Sequence, residues 1–186
     1  MRSIRLRLPV LIVLALLLLA TVVSAHYLMR MKMWEIVDES DVILTGIVVG
    51  MESSYNGDES QIYTEIWITV DSVMKGTSVA STVIVREAGG TVDSVSEYVT
   101  GTSRWVYAEK ALVFLQEDTE GNGFYYTTNS TQGKVAIYAD EFGIEQAFWP
   151  DGLDYENTPD TDSIHRVFDG YTVPLADLIA EIESFK

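Results

Sequence analysis

The chain holds only two histidines, His26 and His165, so any chemistry that needs imidazole must use them. Cleavage after Ala25 would give His26 a free α-amine beside its ring. With His165 added, that is the ligand set of a copper-binding histidine brace. Against it, a terminal histidine is ordinarily just a terminal residue, and His165 an ordinary surface one. The acidic run Asp151, Asp154, Glu156, Asp160 and Asp162 offers oxygens of the kind calcium takes, about six to eight at a time. EF-hand spacing fails: with Asp160 and Asp162 at its first and third positions, Ile164 and His165 fall where a ligand and the glycine belong. A solvated acidic loop is the favoured reading. Ser163, His165 and Asp169 are too close in sequence for a Ser-His-Asp triad, and no nucleophile elbow is present. A carboxylate pair for glycoside hydrolysis could be drawn from almost any two of the 28 acids, which is no signal. There is no cysteine, which removes disulfides, thiolate metal sites and a cysteine nucleophile together. These residues imply no cofactor and no enzyme. The alternative is an exported metal-binding protein or hydrolase built from carboxylates, His26 and His165.

The residues that suit contact are aromatic. Tyr63, Trp67 and Trp105 are candidates on the folded body. Phe148, Trp149, Asp151, Asp154 and Tyr155 belong to an acidic–aromatic stretch, 148–162. Asn129-Ser130-Thr131 is a glycosylation sequon, which would place that loop at the surface. Net charge selects the partner. Arg2, Arg5 and Arg7 supply three of the 12 basic residues, so the chain after residue 25 has nine against 28 acids, a net of −19. Such a surface repels phosphate backbones and attracts cations or basic proteins, so nucleic acid is excluded as a partner.

The elements that must position these residues begin with Gln61–Gly76. Ile62, Thr64, Ile66, Ile68 and Val70 alternate with Tyr63, Glu65, Trp67, Thr69 and Asp71, the period-2 pattern of a half-buried strand. Val42–Met51 precedes it as a strand interrupted by Gly46 and Gly50, a mark of bulges or bends. Asn56-Gly57-Asp58 makes the two a hairpin. Thr82–Glu87 is a third strand, ended by Ala88-Gly89-Gly90. Thr91–Gly101 is an edge strand or an irregular excursion. Ala111–Leu115 is a continuous apolar run, suited to a strand buried on both faces. Glu120-Gly121-Asn122-Gly123 signals another hairpin, and Phe124–Thr128 and Lys134–Tyr138 read as two more strands. Residues 139–173 read as an acidic surface segment. Leu175, Leu178, Ile179, Ile182 and Phe185 follow Pro174 at helical spacing, an amphipathic helix over 174–186 with Glu181 on its outer side. His26–Glu39 reads as a short N-terminal helix.

Residues 1–25 carry Arg2, Arg5 and Arg7, an apolar run from Val10 to Ala20, and Val23 and Ala25 spaced like a cleavage site. That is the pattern of a secretory signal. Leu8–Ala25 also approaches the roughly 20 residues that span a bilayer, so an uncleaved anchor competes. Either way, residues 26–186 are expected outside the cytoplasm as one exported domain, touching a membrane only through residues 8–25 if these remain.

Several short motifs carry a resemblance. Ser40-Asp41-Val42-Ile43-Leu44-Thr45-Gly46 resembles an "S-D-hydrophobic-G-x-V" opening. Tyr63-Thr64 with Val70 and Met74-Lys75-Gly76 resembles a "Y-T … V … hydrophobic-K-G" strand. Ala88-Gly89-Gly90, Glu109 with Leu112–Leu115, and Gln132-Gly133-Lys134 follow in order. Over residues 40–138 the set is similar to exported archaeal and bacterial β-barrel domains. More distantly it resembles the netrin-like OB domain of the tissue inhibitors of metalloproteinases. Those inhibitors use an N-terminal cysteine on the protease's zinc; this chain has none, so the resemblance implies architecture and not inhibition. In the group, glycine often precedes Glu109, where this chain has Ala108.

The expected fold is mainly β: an OB-like antiparallel barrel of five or six strands over about 42–138, flanked by the two helices, with a two-sheet sandwich as rival. Ile47, Val49, Ile66, Ile68, Val70, Val83, Val85, Leu112 and Phe114 are its expected core, with Leu178 and Ile182 beneath the last helix. The expected function is a non-enzymatic extracytoplasmic binding module for another exported protein or a cationic partner.

Overall fold

The computed structural model describes residues 31–77, 79–149 and 171–185. Five strands close a barrel: β1 (Val42–Tyr55), β2 (Ile62–Lys75), β3 (Thr82–Ala88), β6 (Lys110–Glu117) and β7 (Tyr125–Thr127). They run in the order β1-β2-β3-β7-β6, and β6 returns to pair with β1 from Val42↔Leu115 to Ile47↔Lys110. The barrel is OB-like, as expected, but not wholly antiparallel: β3 and β7 are parallel, joined at Val85↔Tyr125. The reason is arithmetic. Directions must alternate around an all-antiparallel ring, and an odd number of strands cannot close that way.

Beyond the barrel the sheet continues. One edge of β6 is shared: β7 takes its end at Leu115–Glu117, and β8 (Lys134–Ala139) takes Lys110–Val113. A 3₁₀ turn, Ser130–Gly133, carries the chain between them, entered through Asn129 and Ser130 at φ +50° and +57°. Gly133 is wedged there: a Cβ would meet Thr128 O at 2.5 Å. β9 (Glu145–Trp149) pairs with β8, and β10 (Tyr171–Pro174) with β9. Two helices, α1 (Met33–Glu39) and α2 (Leu175–Ser184), cover this outer sheet.

Two cores follow from that split. Inside the barrel lie Val42, Leu44, Val48, Ile66, Ile68, Val83, Val85, Ala111, Val113 and Leu115. Beneath the helices lie Ile43, Leu112, Phe114, Val135, Ile137, Trp149 and the apolar faces of both helices. β6 serves both, sending Ala111, Val113 and Leu115 one way and Leu112 and Phe114 the other, as its unbroken apolar run requires.

Several expectations are corrected. Ile47 and Val49 are exposed and Val48 is buried instead. Register shifts in the β1–β2 pairing, at Ile43/Leu44, Thr45/Gly46 and Val48/Gly50, break the simple alternation. Val70 is half-buried at the edge of the inner core. Residues 139–173 are not all surface segment, since β9 and β10 join the sheet and Trp149 is 1% exposed, stacked on Phe114 at 5.7 Å. The first helix starts at Met33, with Trp34 exposed and Met33 buried. In α2, Leu178 and Ile182 are buried as expected, but Pro174 is its N-cap and Glu181 is half-buried. Residues 91–101 contain a small hairpin, β4 (Gly90–Val92) with β5 (Val95–Glu97), turning through Asp93 at φ +52°.

Candidate functional site

An open cleft of about 440 Å³ lies where β3 ends and the β4–β5 hairpin folds back over the barrel mouth. Its walls come from β3, β4, β5 and residues 98–105, with Met51 of β1 and Thr64 of β2. Glycines set the close approach. Gly89 and Gly90 have φ +94° and +144°. A Cβ on Gly89 would reach Glu97 O at 2.9 Å, and one on Gly90 would reach Thr64 Oγ1 at 2.4 Å and Ser53 Oγ at 2.5 Å. No other residue type lets the chain turn this tightly against β1 and β2. Polar ties hold the hairpin: Thr64 Oγ1 donates to Gly89 O at 2.7 Å, and Glu97 Oε2 accepts the Ile62 amide at 2.7 Å.

Glu87, the penultimate residue of β3, belongs to the cleft lining and is 8% exposed. Thr127 on β7 donates to its Oε1 at 2.7 Å. Burial pushes its pKa up to about 7. Hydrogen bonds from Thr127 and others, and the charge of Lys134, oppose that rise without cancelling it. Trp105 beside it is half-buried and packs against the inner core. Its indole N–H is buried without a hydrogen bond of full geometry, yet its dipole helps to lower the Glu87 pKa.

Lys134, the first residue of β8, is also buried. It is held by Glu109, at 2.7 Å to Oε1 and 2.8 Å to Oε2, donates to Arg104 O, and lies 4.9 Å from the centre of the Trp105 ring. This bracket fixes the segment 104–109 that carries Trp105. Glu109 Oε1 also accepts the Val106 amide at 2.7 Å, and Ala108 takes φ +64°. At the rim Tyr98 is 75% exposed.

The aromatic residues named from sequence do not form one patch. Trp105 is on the cleft. Tyr63 and Trp67 lie on the outward face of β2, both half-buried. Trp67 packs across Gly50, where a Cβ would sit 3.1 Å from its ring. The Tyr63 ring lies 5.8 Å from the Arg86 guanidinium, which stacks 3.5 Å from the Phe124 ring and pairs with Glu65 at 2.7 Å. Phe148 is half-buried on β9. Trp149 is a core residue whose Nε1 donates to Gln132 O at 2.7 Å, so it is withdrawn as a contact residue. Asn129 is half-buried in its left-handed turn. His26, His165, Asp151, Asp154 and Tyr155 lie outside the described residues, so the histidine brace and the acidic run do too. Among the described residues no three His, Cys, Asp or Glu side chains converge as a metal site would need, and no helix is long and apolar enough to cross a membrane.

Glu87 was missed in the sequence. It sits one step before Ala88-Gly89-Gly90 on an inward-facing position of a strand, and a charged residue there is the signal that could have found it. Comparisons with protein-family models, with curated proteins and with solved structures gave no match.

Proposed function

We propose that this chain is a non-enzymatic extracytoplasmic binding module that contacts another exported protein through the cleft beside the β4–β5 hairpin. The carrying observation is the cleft itself: concave, about 440 Å³, largely apolar, with one buried carboxyl and one indole on its walls. That is how recognition sites are built. OB-like barrels also tend to bind at one sheet face and its loops. The net charge of −19 over the chain after residue 25 favours a basic partner and speeds its approach. The arginines at 2, 5 and 7 before an apolar run support export.

The test is capture of partners from a native envelope fraction by the wild type and by Trp105→Ala, with metal analysis of the purified protein and N-terminal sequencing. The reading expects a partner lost on the substitution, and His26 as first residue. Stoichiometric metal, or a partner retained in full by Trp105→Ala, overturns it.

A second reading has one observation in its favour. A carboxyl whose pKa is about 7 in a cleft is matched to general acid–base work near neutral pH. An exported hydrolase using Glu87 would show turnover abolished by Glu87→Gln.

A further inference from the structure

We infer that the cleft is a receptor for a lysine side chain of the partner protein, with Glu87 as the group that receives its ammonium. The inference rests on the binding-module reading above and names the chemistry of its site.

Charge balance is the first argument. Among the described residues no lysine or arginine forms an ion pair with Glu87. The nearby cation, Lys134, is already committed to both oxygens of Glu109 and to the Arg104 carbonyl. A buried carboxylate without a counter-ion is costly, and the protein carries that cost at a place that opens to solvent through a cleft. An entering cation would relieve it.

The kind of cation follows from the geometry. Oε1 of Glu87 already accepts from Thr127 at 2.7 Å, so a guanidinium fork would have to share that oxygen, whereas one donor on the other oxygen would not. An ammonium is a compact charge that needs one oxygen and carries an apolar stem. Met51, Val99 and Trp105 on the cleft walls suit that stem. Tyr98 at the rim adds a ring face that favours a cation; the Trp105 ring already has Lys134 4.9 Å from its centre.

Among the described residues, the other charged groups at the cleft are Lys134, Arg104 and Glu97. Lys134 on β8 is neutralised by Glu109. Arg104 also lines the cleft, but it is exposed and forms no ion pair with Glu87. Glu97 on β5 lines the same cleft with its carboxylate bound to the Ile62 amide. Only the ionised form of Glu87 can take the ammonium. Its pKa of about 7 therefore makes affinity fall as pH drops through neutrality.

The probe is N-acetyl-lysine N-methylamide. Its comparators are the norleucine analogue, with the same stem and no charge, and the arginine analogue. Binding to the full exported chain is followed by the Trp105 indole N–H resonance at pH 8 and pH 5. The lysine probe should shift that resonance and bind at least about tenfold tighter than either comparator. Its affinity should fall on the order of a hundredfold between pH 8 and pH 5. Glu87→Gln should reduce lysine binding to the norleucine level. Equal binding of lysine and norleucine, or a flat pH profile in the wild type, overturns the inference without needing the variant to fold. A wild type that captures its envelope partner but ignores the lysine probe leaves the module reading standing and removes this one. Wild-type turnover that Glu87→Gln abolishes overturns the module reading, and this inference with it.

Discussion

Burial makes Glu87 a costly residue, and its cost depends on pH. Its folded pKa is raised from 4.5 to about 7, so between those values the native state holds a proton that the unfolded chain releases. Stability from this group is full below about pH 4.5 and is lost as pH rises through 7. The loss is on the order of 3 kcal/mol. Urea melts from pH 4.5 to pH 8 should show it in the wild type, and Glu87→Gln should remove most of that slope. Ala108 is a second cost, at an exposed position. It holds φ +64°, where an L-residue is strained by roughly 1–2 kcal/mol. Ala108→Gly should raise stability by about 1 kcal/mol, read as a higher denaturation midpoint with an unchanged m-value. Trp105 was legible from its type alone. Glu87 was not, because one acid among 28 gains meaning only when the fold buries it. The motif residues behave differently. Lys75 donates to Val37 O and Asp38 O at the end of α1, at 2.7 and 3.1 Å. Gln132 Oε1 accepts the Met31 amide, and Ser40 bonds Ile36 O and Thr128. Short motifs in this chain mark ties between elements.

At the scale of elements, period and turn chemistry were readable wherever one strand faced one core. β2, β3 and β6 lie where their alternation or apolar run put them. β1 did not obey, because it changes register three times and its first residues are buried on both faces. The outcome is measurable: Phe114→Ala, which removes the ring stacked on Trp149, should cost about 3–5 kcal/mol. Val49→Ala, at 45% exposure, should stay within about 0.5 kcal/mol of wild type in the same denaturant melts. β9 was hidden by composition. Acidic and aromatic residues surround it, and only its pairing with β8 shows that Ala147 and Trp149 point inward.

The whole molecule combines a large negative charge with a cleft whose buried carboxyl forms no ion pair among the described residues. On the proposed binding-module reading, attraction of a basic partner would act over about 8 Å at physiological salt and fade as salt rises. The association rate should therefore drop severalfold or more between 50 mM and 500 mM salt, while dissociation changes far less. A rate insensitive to salt would mean the charge serves solubility alone.

β6 is shared by the two cores, and that has a consequence for motion. A strand whose side chains alternate between the barrel interior and the helix-covered layer cannot loosen from one without disturbing the other. The amide protons of Leu112–Leu115 should exchange with heavy water only through global unfolding, at the rate that the overall stability allows. The β4–β5 hairpin has three residues in each strand and joins the rest through a few polar ties. It should exchange orders of magnitude faster, by local opening, so the wall of the cleft moves while its floor stays still.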